Sequence, residues 1–296
     1  MTTMHRQDLK NRNEDHAVLL LHGLSSSPLE LRYLTRCLSA DGFATHAPEL
    51  PGYSAGHGHA PMEQWVSAAV DAFDVLAKRH RHVSVCGLSM GAALSAAVAR
   101  ERPSTRALLL LSITLDYDGW AIPWYRFLLA WAHKTPMRHR YRYREQEPFG
   151  LRNSALRAKI ARAMRKGELS EVGPATISLP ALHEATRLAA SVRRDLKYIA
   201  NDCLIIHAVD DETSSPHNAR YVQENIGASL QRTIWLDDSY HMITSDNERE
   251  VVARECALFL RDSACGADGD AGSKQVVSRA LARRLRQPAS TSRAAR

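Results

Sequence analysis

Six short apolar runs recur along the chain, at 17–21, 43–46, 83–86, 107–111, 204–208 and 233–236, each four or five residues long. Runs of that length without alternation fit strands buried on both faces. Between them, the segments 29–40, 62–80, 92–101, 183–200, 216–226 and 246–261 carry apolar residues at three- and four-residue spacing, and several open on Pro or Asp. That spacing predicts amphipathic helices. Strand and helix in regular alternation predict an α/β protein, a mostly parallel sheet with helices on both faces.

The alternation stops for some seventy residues after Ser112. This stretch holds Trp120, Trp124, Tyr125 and Trp131, then the basic-aromatic run from Arg138 to Arg144, then a predicted amphipathic helix over 153–166. In that helix Leu156, Ile160, Ala163 and Met164 share one face, with Arg157, Lys159, Arg162 and Arg165 on the others. The simplest organisation is a core at 17–118 and 181–262, interrupted by a helical cap at 119–180 that folds over the loop end of the sheet. Residues 1–16 are expected to be a polar N-terminal segment, and 263–296, rich in Ala, Ser, Gly and Arg, a disordered basic tail.

Charge sharpens this division. The net charge is +7, from 39 basic and 32 acidic residues. The cap holds twelve basic and four acidic side chains and the tail seven and two, so the remainder of the chain carries −6. A basic cap and tail on a mildly acidic body bear on partners rather than on fold. Composition excludes other classes: 45% hydrophobic and 24% charged residues are ordinary for a globular protein. The greasiest segment, 120–132, is broken by Arg126 and falls short of the ~18 apolar residues of a membrane span. The N-terminus lacks the apolar stretch of a secretory signal, so a cytoplasmic location is expected. Five cysteines, Cys37, Cys86, Cys203, Cys256 and Cys265, stand far apart with no C-x-x-C pair, which fits free thiols rather than disulfides or a zinc site.

The sharpest chemical signal is Gly87-Leu88-Ser89-Met90-Gly91, between a predicted strand and a predicted helix. A serine in such a turn projects its hydroxyl outward, beside a helix N-terminus that favours negative charge. A serine nucleophile needs a base, and on this type of sheet the order is serine, acid, histidine. Of fourteen histidines, His217 and His241 follow a plausible acid; His217 falls in the first turn of a predicted helix, whereas His241 lies in a loop just past the strand 233–236. Loops at the carboxyl ends of strands are where such sheets place chemistry, which favours His241 as general base and a rate that rises through a pKa near neutrality. The acid is Asp211 by preference, with the adjacent Asp210 as the alternative. Leu24, after His22-Gly23, and Met90 are the candidate backbone donors of an oxyanion hole. His57 and His59 read as loop histidines rather than as a metal pair.

Together, His22-Gly23-Leu24, the loop from Glu49 to Tyr53, the Ser89 pentapeptide, Asp211-Glu212 and the stretch from Tyr240 to Asp246 resemble the α/β-hydrolases, and among them the compact bacterial carboxylesterases and monoacylglycerol lipases. The resemblance spans about residues 17–261. It implies that Ser89, Asp211 and His241 form a triad, that Leu24 and Met90 supply the oxyanion amides, and that a small acyl ester is cleaved with no cofactor or metal. Two departures stand out: Ala208, where a glycine is common, and a long basic cap. A thioesterase or acyltransferase acting on acyl-CoA or acyl carrier protein is the alternative reading of that cap. A catalytically silent basic binding module is a third. Nucleic acid is not an expected partner, and contact with a membrane would be peripheral.

Overall fold

A computed structural model describes residues 15–123, 135, 140–165, 176–264 and 274–275. Seven parallel strands form the main sheet in the order β2-β1-β3-β4-β7-β8-β9. They are β1 (His16–Leu21), β2 (Ala44–His46), β3 (His82–Leu88), β4 (Ala107–Leu111), β7 (Asp202–Ala208), β8 (Gln231–Leu236) and the two-residue edge β9 (Lys274–Gln275). The helices that connect and flank them are α1 (Arg32–Ala40), α2 (Met62–Ala77), α3 (Met90–Glu101), α4 (Ser154–Arg165), α5 (Leu179–Asp195), α6 (Pro216–Asn225) and α7 (Arg249–Ala264). Of the expected basic tail at 263–296, Ser263 and Ala264, which end α7, and β9 lie within the described residues.

The apolar runs are continuous because successive side chains enter different cores. Leu19, Leu21, Val85, Leu108 and Leu110 join one cluster, with α2, α3 and α5. Val18, Leu20, Cys86, Leu109 and Leu111 join the other, with α1 and α7. Burying each such leucine fully is worth about 1.5–3 kcal/mol.

The strand order fixes where the two halves of the site meet. From β1 the chain moves outward to β2, then returns to β3 on the other side of β1 and continues to β4. The connections therefore diverge between β1 and β3, and the crevice at their carboxyl ends is the natural place for a ligand.

Four elements differ from the pattern read along the sequence, among them the helix expected at 183–200, which is α5 followed by a 3-10 turn, Leu196–Tyr198. The expected helix at 29–40 is a 3-10 turn, Pro28–Leu31, followed by α1. The last helix begins at Arg249 rather than at Asp246, because Asp246 is held in a tight turn, its amide bonded to Met242 O, while its carboxylate binds three backbone N–H groups elsewhere. The segment expected to be a helical cap also contains strands: β5 (Arg142–Arg144) pairs antiparallel with β6 (Thr176–Ser178). In β5 Arg142 and Arg144 are exposed and Tyr143 is half-buried, so the Arg-Tyr alternation is a strand period, polar outside and aromatic inside.

Candidate active site

Ser89 stands between β3 and α3 with φ 57° and ψ −121°, a conformation that costs a non-glycine residue about 1–3 kcal/mol. Its neighbours make the turn possible. A Cβ on Gly87 would overlap the Gly91 carbonyl, and one on Gly91 would overlap the carbonyls of Leu21 and His22. The two glycines thus bring helix α3 against both β1 and β3, and the Ser89 amide is tied to Leu111 O at 2.9 Å.

Around this hydroxyl the structure brings together the residues expected from the sequence. His241 Nε2 lies 2.8 Å from Ser89 Oγ, and His241 Nδ1 lies 2.8 Å from Asp211 Oδ2. Asp211 is buried, its Oδ1 accepting the amides of Thr213 (2.9 Å) and Ser214 (2.8 Å). Asp210 points away and pairs with Arg152 at 3.1 Å. His217 sits in the first turn of α6, capped by Ser215. Leu24 borders the same pocket as Ser89 and His241, and Met90 follows Ser89 as the first residue of α3. His57 lies 3.4 Å from the exposed Glu49 carboxylate, and among the described residues no group of three or more His, Cys, Asp or Glu is arranged to hold a metal.

Several partners carried no local sequence signal. His207, on β7, is fully buried; its Nε2 donates to Ser214 O at 2.9 Å and lies 3.5 Å from Asp211 Oδ2. Burial lowers its pKa, which keeps it neutral beside the acid. Thr114 Oγ1 is 3.3 Å from Ser89 Oγ. Glu212 accepts the His241 amide at 3.1 Å. Glu30, from the turn after β1, accepts the Gly23 amide at 2.8 Å and so holds the backbone that leads into Leu24.

The site is strongly acidic. Burial pushes the Glu30 and Glu145 carboxyls up to about 7 and raises Glu212 as well. Burial alone would favour neutral His241, but the charges of Asp211, Glu212 and Glu145 and the bond to Asp211 overcome it and raise its pKa to about 9. This differs from the near-neutral value expected from the sequence, chiefly because buried Asp211 bonds and faces the imidazole, with Glu212 and Glu145 adding to its field. Asp211 is driven the other way: burial opposes its charge, yet His241, His207 and the Ser214 amide hold it below its ordinary value.

The cap is fastened to this site through Asp246, whose carboxylate accepts the amides of Arg152 (2.7 Å), Asn153 (2.9 Å) and Tyr240 (2.8 Å). The Met242 amide in turn donates to Gly150 O at 2.9 Å. The residues on either side of His241 are thereby fixed, Tyr240 by Asp246 and Met242 by Gly150.

A parallel sheet with a serine on a strained strand-to-helix turn at its switch point defines an α/β-hydrolase. The chain belongs to the serine aminopeptidase S33 family, whose model matches residues 12–248. It is similar to a carboxylesterase of Bacillus subtilis, 24% identical over 250 residues, or 83% of this chain and 92% of the relative. A thermostable monoacylglycerol lipase of Bacillus sp. strain H-257 is 25% identical over 248 residues, 82% of this chain and 89% of the relative. Among solved structures, the monoacylglycerol lipase of Paleococcus ferrophilus shares the fold with a TM-score of 0.69 at 17% identity, covering 83% of this chain and 94% of its own. Among the described residues no helix is long and apolar enough to cross a membrane.

Proposed function

We propose that the protein is a serine hydrolase that cleaves carboxylic esters through an acyl-enzyme, in the manner of a carboxylesterase or monoacylglycerol lipase. The observation that carries this reading is the hydrogen-bonded line from Ser89 through His241 to Asp211, with both spacings at 2.8 Å. In its neutral form His241 donates Nδ1–H to the carboxylate and turns the Nε2 lone pair toward the serine. Ser89 Oγ attacks the ester carbonyl as His241 takes its proton, and the oxyanion that forms is met by the Leu24 and Met90 amides. Collapse expels the alcohol, which takes the proton from His241. Water, deprotonated by the same histidine, then attacks the acyl-enzyme and releases the acid. Asp211 orients the imidazole and stabilises its charged form.

The names of the two bacterial relatives support an ester as substrate. The exposed Arg142 and Arg144 on the cap keep a second substrate type in view, an acyl thioester on an anionic carrier such as acyl-CoA or acyl carrier protein. Labelling with a fluorophosphonate, followed by turnover of p-nitrophenyl esters and acyl-CoAs, tests the reading. Labelling and ester turnover in the wild type, both lost in a folded Ser89→Ala variant, are expected. Normal turnover by that variant would overturn the mechanism, and exclusive turnover of acyl-CoA would replace the ester with the thioester.

A further inference from the structure

Glu145 is a carboxylate at this pocket to which the hydrolytic scheme gives no work. It follows β5 directly and continues its alternation, so that Arg142 and Arg144 face outward while Tyr143 and Glu145 face inward. It borders the pocket that also exposes Ser89 and His241, with Tyr117 and Phe149 as aromatic neighbours. Glu30 and Glu212 border the same space, but each is engaged by a backbone N–H, of Gly23 and His241 respectively. No hydrogen bond or ion pair to Glu145 is found among the described residues, and no Lys or Arg among them borders the pocket. The charges that act on it are Glu212 and Glu30, which oppose its ionisation, and the single positive group His241, which favours it. Burial of an acid without a dedicated counter-charge is costly, and it is relieved when a ligand brings the missing cation.

Resting on the esterase reading, we propose that Glu145 selects esters whose alcohol carries a cationic ammonium group. The alcohol side is assigned because the leaving oxygen departs against His241, and Glu145 is one of the carboxylates whose field acts on that imidazole. A cation placed there gains an ion pair with Glu145 beside the aromatic side chains Tyr117 and Phe149, whose ring faces attract ammonium groups. The interior of the site thus has a charge opposite to that of the cap's outer surface. A long-range attraction for anions at the surface does not extend to an anionic group on the leaving alcohol.

The test compares butyrylcholine with 3,3-dimethylbutyl butyrate, which replaces the ammonium nitrogen by carbon at the same shape. The wild-type protein is expected to favour the cationic ester by about tenfold or more in kcat/KM, a ratio equivalent to ~1.4 kcal/mol. In Glu145→Gln that ratio is expected to fall toward one. Choline is expected to inhibit hydrolysis of the neutral ester competitively in the wild type and at least about tenfold more weakly in Glu145→Gln. Equal use of the two esters by the wild type, or a cationic preference unchanged in Glu145→Gln, overturns the assignment while leaving the esterase standing. Failure of the wild type to hydrolyse either ester or to react with a fluorophosphonate overturns both.

Discussion

Asp210 and Asp211 are neighbours in the chain with opposite surroundings: Asp211 is 2% exposed and bonded to His241 at 2.8 Å, whereas Asp210 lies at the surface, 3.1 Å from Arg152. The direction of one carboxylate relative to the next decides which of them reaches the imidazole.

Asp211→Asn is therefore expected to lower kcat by about 10⁴-fold, since the amide cannot stabilise the imidazolium and favours the wrong tautomer. Asp210→Asn removes only a partly exposed ion pair and is expected to cost less than about tenfold. Steady-state kinetics of the two folded variants check this. A larger loss in Asp210→Asn would reassign the acid.

The pH profile follows from the charge around His241. The imidazole must be neutral to accept the serine proton, and its pKa is raised to about 9, so kcat/KM for a neutral ester should climb with pH well above neutrality. Glu212 contributes to that raised value from its bond to the His241 amide. Glu212→Gln keeps an acceptor but removes a charge that favours the imidazolium, so the rising limb should move to lower pH. A limb that stayed in place, or moved upward, would contradict this electrostatic account.

Stability has its own pH signature at Glu30. Its folded-state pKa of about 7 exceeds the ordinary carboxyl value of about 4.5, so the native state holds the proton longer than the unfolded chain. The advantage is complete below about 4.5 and is lost as pH rises through about 7, a loss on the order of 3 kcal/mol. Glu30→Gln removes this titration. Urea unfolding at pH 5 and pH 8 should show the variant gaining on the wild type at the higher pH.

Asp246 links the cap to the histidine loop. Asp246→Ala strands three backbone donors and is expected to destabilise the protein by at least about 2 kcal/mol. The amides it releases belong to Arg152, Asn153 and Tyr240, so kcat for ester hydrolysis should also fall as His241 loses its support. Activity unchanged in a variant that remains folded would show that the clamp does not position the base.

If the basic face of β5 recruits an anionic carrier, kcat/KM for acyl-CoA should fall steeply with salt and on charge reversal at Arg142 and Arg144, because the attraction is screened over about 10 Å at 0.1 M ionic strength. A neutral p-nitrophenyl ester should respond little. Equal salt responses would leave the cap charge without a role in substrate capture.

The sequence by itself determined the parts of this protein that depend on local rules. Continuous apolar runs separated by helical periodicity sufficed for a two-sided parallel sheet, since a strand buried on both faces carries apolar side chains at most of its positions. The glycines around Ser89 were legible because only that residue avoids overlap at Gly87 and Gly91, and the serine's strained turn needs both. His241 was found by its place after a strand. Tertiary structure decided what no local pattern encodes: which of two adjacent aspartates faces inward, that His207 and Ser214 brace it, and that Glu30, Glu145 and Glu212 gather around one imidazole. A carboxylate carries the same sequence signal whether solvated or buried. Its burial and its distance from other charges are set by segments that meet only in the folded chain, and Asp211, Glu212 and Glu145 together raise the His241 pKa to about 9.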